Sequence, residues 1–132
     1  MKQNIGEFLD RISILLHKAQ KIGGESYPEF IKYAEELLLD LPEENFAEII
    51  KTFRRLYKVN GEIWKLEFDI RMFKEDKIGI VECGKRAIKI RKLNNKRLEI
   101  QNEIIKKIGG YENPNVEYWK KEKEKLNKGE KE

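Results

Sequence analysis

Polar side chains occupy two long helical patterns at positions where a helical bundle normally buries apolar residues. Asn60, Glu67 and Arg71 fall in the buried stripe of one pattern, and Asn94 and Arg97 fall in that of the next. Burial of such groups is unfavourable unless each finds a hydrogen-bond partner or an opposite charge. We therefore expect them either to form a network that holds the bundle together or to build a binding site.

Six residues, which we call the polar stripe, are the candidate ligand-binding residues: Asn60, Trp64, Glu67, Arg71, Asn94 and Arg97. The first four lie on one face of a helix because they follow one another at helical spacing. Arginine binds carboxylates and phosphates, glutamate can orient a ligand or exchange protons, and tryptophan can stack on a ring. One interpretation is therefore an enzyme or enzyme accessory that binds an anionic sugar or nucleotide.

The same side chains can serve a purely structural role, which is the other interpretation. If the connection between the two helices centres near Lys77, antiparallel packing places Asn60 level with Asn94. Two core asparagines would fix the register, because a slip would leave an amide facing isoleucine. On this interpretation the protein is a non-catalytic interaction or scaffold protein. We favour it, and we assign no catalytic residue.

A second group of polar residues lies on the first predicted helix. Asp10, Ser13 and His17 share one helix face and have the residue types of a catalytic triad. Residues one turn apart on a single helix rarely reach the geometry of nucleophile and base, and the sequence contains no recognisable oxyanion loop. We therefore expect no catalysis there, and we assign Lys18 to a charge network.

Apolar residues at helical spacing predict the elements that position these side chains. The predicted helices span residues 4–22, 26–39, 43–74 and 80–108. Glycine pairs at 23–24 and 109–110 end the first and last helices, and Pro42 ends the second. The sequence thus predicts an all-α fold, an antiparallel helical bundle of about four helices with a long central helical hairpin. The bundle domain covers residues 1–111, and a charged C-terminal tail covers 112–132.

The predicted helices differ in length, which predicts self-association. The second helix is about half as long as the two helices of the hairpin, so it cannot cover the far end of that hairpin. Phe68, Met72 and Phe73 would then be exposed near the tip, and exposed aromatic residues at such density usually mark an interface. We expect a homo-oligomer joined through the hairpin, with another protein partner as a further option.

The composition argues against several classes of protein. The chain has 132 residues, 39% of them hydrophobic and 39% charged, with a net charge of +4 and interleaved signs. This balance fits ion pairs on helix surfaces better than a nucleic-acid-binding patch, so we expect no nucleic-acid partner. Cys83 and His17 are the only residues of their kind, which rules out an internal disulfide and a Cys/His zinc site. We expect no metal and no cofactor.

The distribution of apolar residues bears on location. No apolar run approaches the roughly 20 residues that cross a bilayer, so we expect no membrane insertion. The first residues lack the apolar block of a secretion signal, so we expect a cytoplasmic protein. Abundant lysine, glutamate and isoleucine would suit a heat-adapted organism.

Three segments resemble uncharacterised bacterial helical domain families. Residues 9–18 resemble the Asp-Lys-Ile-Thr-Ile-Leu opening of those proteins, with Leu16 at a position that is acidic in them. The first four residues of the polar stripe resemble their Asn-x3-Trp-x2-Glu-x3-Arg signature, and the last two resemble their Asn-x2-Arg signature. Members are often encoded near glycosyltransferases. The resemblance therefore implies a role for the polar stripe and a link to cell-envelope polysaccharide.

Overall fold

A computed structural model describes residues 4–40, 43–71, 75–108 and 124–126. Its helices are α1 (Ile5–Lys21), α2 (Ser26–Asp40), α3 (Phe46–Arg71), α4 (Glu75–Ile78) and α5 (Ile80–Ile108). The described ranges contain no strand, so the predicted all-α fold is confirmed. None of their helices combines the length and the apolar character that a membrane crossing requires.

The helix ends follow local sequence signals. Asn4 caps α1, since its side-chain oxygen accepts a hydrogen bond of 2.8 Å from the backbone N–H of Glu7. A 3-10 turn, Glu43–Asn45, precedes α3, so the third helix begins three residues later than its acidic residues predict. Gly79 adopts a φ of 85° between α4 and α5, a conformation that favours glycine. This residue turns the chain into the long return helix.

The hydrophobic core lies where α1 packs against the hairpin of α3 and α5, while α2 packs on α1. Nine buried residues form it: Ile5, Leu9, Ile49, Leu56, Val59, Ile63, Ile100, Ile104 and Ile105. Full burial of such a side chain contributes roughly 1.5–3 kcal/mol. The core therefore anchors one end of the hairpin to α1.

The other half of the hairpin extends beyond the core. Helix α1 has 17 residues and α5 has 29, which correspond to about 25 and 43 Å at 1.5 Å per residue. Among the described residues from 64 to 99, none is buried. Phe68 is 46% exposed, Ile80 91% and Val81 74%. Met72 and Phe73, also predicted to be exposed, lie outside the described residues.

Two glycines allow α1 to approach its neighbours closely. A Cβ on Gly6 would lie 2.7 Å from the backbone oxygen of Gln101, so α1 and α5 are in backbone contact there. A Cβ on Gly61 would lie 2.9 Å from Cε1 of His17, so the imidazole packs directly on the backbone of α3. Helix α3 continues through Gly61, as its apolar spacing predicts. These contacts fix where the polar residues of α1 meet α3 and α5.

Candidate functional site

A buried carboxylate is the centre of the polar network between the helices. Asp10 of α1 is 6% exposed, and each of its carboxylate oxygens accepts two hydrogen bonds. Oδ1 accepts from Asn60 at 2.8 Å and from Arg97 at 3.2 Å. Oδ2 accepts from Arg97 at 2.6 Å and from Gln101 at 3.0 Å. The carboxylate is thus bonded to both α3 and α5.

Ser13 completes this network, which we call the Asp10 cluster (Asp10, Ser13, Asn60, Arg97 and Gln101). Asn60 donates its second amide hydrogen to the Ser13 hydroxyl at 2.6 Å. That hydroxyl donates to the backbone carbonyl of Asp10 at 2.7 Å. The guanidinium of Arg97 contacts both carboxylate oxygens, the strongest geometry for such a pair. The Asp10 cluster therefore locks α1, α3 and α5 together.

A cleft of about 290 Å³ opens beside the Asp10 cluster. We call it the polar cleft, and nine residues line it: Ile14, His17, Lys18, Asn60, Ile63, Trp64, Glu67, Asn94 and Arg97. Five of these belong to the polar stripe predicted from the sequence. The two longest helices thus bring most of the predicted side chains to one concave surface.

The antiparallel register agrees with the prediction, since Lys107 of α5 contacts Glu48 of α3 at 3.0 Å, but the predicted pairing of the two asparagines is wrong. Asn60 and Asn94 line the same cleft, but they do not pair with each other. Asn60 donates to Asp10 and Ser13, while the Asn94 oxygen accepts from Arg97 at 2.8 Å. The physical reason is that Asp10 is an ionised acceptor, which attracts an amide N–H more strongly than a neutral amide does.

Arg71 is the member of the polar stripe that the structure does not place. It is the last residue of α3, and its side chain lies outside the described part of the chain. Its predicted pairing with Glu67 therefore stays a prediction. Glu67 itself lines the polar cleft.

Trp64, which lines the polar cleft, lies close to His17 and Lys21 of α1. The ammonium of Lys21 lies 5.5 Å from the centre of the Trp64 ring and 2.8 Å from Nδ1 of His17. The other imidazole nitrogen, Nε2, lies 2.6 Å from the carbonyl oxygen of Tyr57. The imidazole also stacks on the Tyr57 ring, with 4.0 Å between the ring centres. Both ring nitrogens of His17 are therefore engaged by the protein itself.

This environment favours the neutral imidazole. Burial lowers the pKa of His17 below its usual value of 6.5, the Tyr57 carbonyl opposes that effect, and the charge of Lys21 adds to it. The hydrogen bonds define the tautomer: Nε2–H donates to Tyr57, and Nδ1 accepts from Lys21. At neutral pH, His17 thus holds Lys21 near Trp64.

A second cavity lies on the opposite side of Ile14 and Lys18. We call it the acidic cavity; it measures about 260 Å³. It is lined by Glu7, Asp10, Arg11, Ile14, Leu15, Lys18, Glu29 and Gln101. The side-chain oxygen of Gln101 is buried without a hydrogen-bond partner among the described residues. A buried acceptor in that state marks a position where a donor from water or a ligand is favourable.

Asp10, the central residue of the site, was not among the predicted site residues. Asp10, Ser13 and His17 were recognised as one helix face, but they were assigned no role with the polar stripe. Their shared face was the available signal, since polar residues three and four apart on an apolar helix must meet partners on neighbouring helices. They do not form a triad, because Ser13 bonds to Asp10 and Asn60 while His17 bonds to Tyr57 and Lys21.

The fold and the site define an all-helical bundle with a buried carboxylate cluster beside an open polar cleft. Comparisons with protein-family models, curated proteins and solved structures found no match for this chain. The resemblance to bacterial helical domain families therefore stays a prediction.

Proposed function

We propose that this protein binds a small anionic ligand that carries hydroxyl groups or a flat ring, such as a sugar phosphate or nucleotide. The observation that carries the proposal is the polar cleft, where cations, amides and Trp64 converge around about 290 Å³ of open space. Concave sites with a few convergent polar groups and an aromatic wall are the usual form of small-molecule sites.

The charges in and around the cleft favour an anion, because Glu67, which also lines the cleft, is engaged by another group. Asp10 already neutralises Arg97, and Lys18 has no ion-pair partner among the described residues. The ammonium of Lys21 lies near the Trp64 wall. Asn94 uses its amide oxygen for Arg97, and its NH2 group has no partner within the described ranges. These groups supply donors to a phosphate or carboxylate, and Trp64 supplies a surface for a ring.

The chemistry of His17 favours binding over proton transfer. A general base needs a nitrogen lone pair within reach of the substrate. In His17, Nε2 carries the hydrogen donated to Tyr57, and the Nδ1 lone pair accepts from Lys21. The proposed role of the imidazole is therefore to position Lys21.

Fluorescence of Trp64 offers a direct test. In a Trp119→Phe background Trp64 is the only tryptophan, and we expect ribose 5-phosphate or AMP to change its emission at saturable concentrations. Lys18→Met should weaken this binding by about tenfold or more, as expected for the loss of a charged hydrogen bond.

Lys58→Met is the matched control, because Lys58 is exposed and does not line the cleft. Its affinity should equal that of the background protein. Absence of any saturable change with inorganic phosphate, ribose 5-phosphate and AMP would reject the proposal.

A second candidate function, an interaction or scaffold role through self-association, is favoured by the uncovered half of the hairpin. The exposed apolar residues Phe68, Ile80 and Val81 lie there, beyond the reach of α1. Light scattering at micromolar concentration should give the mass of a dimer or larger oligomer. Ile80→Ser with Val81→Ser should shift it towards the monomer, whereas Ile22→Ser, at a residue that is 69% exposed and lies outside the hairpin, should not. A monomeric wild-type mass rejects this candidate.

A further inference from the structure

The polar cleft and the acidic cavity are neighbouring spaces, which together we call the groove. Both are lined by Ile14 and Lys18, which lie one turn apart on α1 and separate the two spaces. The opposite wall is a single face of α5, since Asn94 and Arg97 line the polar cleft and Gln101 lines the acidic cavity. The seven residue steps from Asn94 to Gln101 correspond to about 10 Å at 1.5 Å per residue.

The two ends of this groove differ in chemistry. The polar cleft has the Trp64 ring together with the donors of Arg97 and Asn94. The acidic cavity is lined by the cations Arg11, whose guanidinium lies over the Tyr33 ring, and Lys18. Its acceptors are the exposed carboxylates of Glu7 and Glu29. The buried Gln101 oxygen, which lacks a donor among the described residues, adds an acceptor at the same end. Carboxylates and amide oxygens accept hydrogen bonds from hydroxyl and amino groups.

We infer that the groove binds an extended ligand: a flat ring, a central phosphate or diphosphate, and a hydroxyl-rich group at the other end. The ring lies on Trp64, the phosphates lie near Lys18 and Arg97, and the hydroxyl-rich group lies between Glu7 and Glu29. Lys18 serves both spaces because it lies on the ridge between them. This inference rests on the proposed function, and it adds the acidic cavity as a second subsite.

A pair of probes separates the subsite from the cleft. ADP and ADP-ribose share the ring and the diphosphate, and ADP-ribose carries a terminal hydroxylated sugar in place of one phosphate charge. In the Trp119→Phe background, we expect ADP-ribose to bind about tenfold more tightly than ADP, the gain of two hydrogen bonds of about 0.7 kcal/mol each. Glu7→Ala with Glu29→Ala should abolish the preference for ADP-ribose over ADP, because alanine offers no side-chain acceptor.

Each outcome has one meaning. If Lys18→Met weakens both probes and the double alanine variant abolishes the preference for ADP-ribose, the inference stands. If the two probes bind equally, or the double variant keeps the preference, the second subsite is rejected while the proposed function survives. If neither probe binds but AMP or ribose 5-phosphate does, the second subsite alone fails; if none of the phosphate ligands binds, both fail. Glu43→Ala with Glu44→Ala serves as the control, because these exposed glutamates line neither space.

Discussion

The Asp10 cluster and the polar cleft lie side by side between the same helices, yet their polar groups are used in different ways. In the Asp10 cluster, both carboxylate oxygens and both amide hydrogens of Asn60 are occupied within the protein. In the cleft, Lys18 and the NH2 group of Asn94 have no such partner in the described part of the chain. Arg97 belongs to both regions.

This difference indicates which polar residues support the fold and which are available to a ligand. A buried ion pair is sustained only when its remaining hydrogen-bonding groups are satisfied, and Asp10 meets that condition. A cleft beside such a cluster has rigid walls, because hydrogen bonds within the cluster already hold the side chains that the two regions share. The predictions below test this division, beginning with the largest effect.

Replacement of Asp10 by alanine should cause the largest loss of stability. It removes the acceptor of four hydrogen bonds and leaves Arg97, 24% exposed, without its counter-charge. Removal of one partner of a buried pair costs about 3–5 kcal/mol, and the partial exposure of Arg97 places the expected loss near 3 kcal/mol. Urea denaturation followed by circular dichroism measures it.

The matched control is the exposed ion pair between Glu48 and Lys107, whose side chains are 43% and 57% exposed. Glu48→Ala should reduce the free energy of unfolding far less than Asp10→Ala does, because solvent screens an exposed ion pair. Equal effects of Asp10→Ala and Glu48→Ala would show that the Asp10 cluster is not the anchor described above.

Gly6→Ala should have the next largest effect. The new Cβ would lie 2.7 Å from the backbone oxygen of Gln101, and neither backbone can move without shifting a helix. Overpacking of this kind costs about 1–3 kcal/mol, against a gain in helix propensity of up to about 1 kcal/mol. We expect a net loss near 1–2 kcal/mol in urea denaturation.

Gly84→Ala provides the control for that change, since nothing lies within 4 Å of a Cβ at this position of α5. It should raise the free energy of unfolding by about 0.5–1 kcal/mol. If Gly6→Ala and Gly84→Ala changed the free energy of unfolding in the same direction, this result would contradict the close approach of α1 and α5.

Gly61→Ala should have a smaller effect on stability and a clear effect on the cleft. Its Cβ would lie 2.9 Å from His17 Cε1, so the imidazole must shift while the helices stay in place. We expect a loss of about 1 kcal/mol or less, because a side chain relaxes more readily than backbone. Trp64 emission should also change, since His17 positions Lys21 beside that ring. Unchanged emission would show that the position of His17 does not affect the surroundings of Trp64.

The pH dependence of stability should show the smallest effect. Burial lowers the pKa of His17 in the folded protein below 6.5, so the unfolded chain takes up its proton first as the pH falls. The contribution of neutral His17 is fully present above pH 6.5 and is lost below it, down to the folded pKa. His17 is the only histidine, so His17→Gln should flatten the urea-denaturation profile between neutral and mildly acidic pH. Parallel profiles for the two proteins would rule out this linkage.

The helices were predictable because their signals are local. Apolar residues three and four apart identify α1, α3 and α5, and the glycines after Ile22 end α1 near its predicted boundary. The apolar spacing also correctly predicts that α3 continues through Gly61, although Asn-Gly pairs are common in hairpin turns.

The partners within the site were less predictable, because they depend on contacts distant in sequence. When only the two helices of the hairpin are considered, Asn60 is predicted to meet Asn94. Helix α1, 50 residues away from Asn60, supplies the stronger acceptor in Asp10. The shared face of Asp10, Ser13 and His17 indicates contact with neighbouring helices, but it does not identify the partners of Asp10 until those helices are placed. By contrast, the grouping of Asn60, Trp64 and Asn94 followed from helix faces alone.

The packing of an imidazole against a glycine has a consequence for how such a sequence can change over time. Positions 17 and 61 share one volume, since His17 occupies the space that any larger residue at 61 would need. A lineage that gained alanine at 61 would therefore be expected to lose the ring at 17, and one that kept the ring would retain glycine. Sequences that descend from a common ancestor should therefore show correlated substitutions at these two positions.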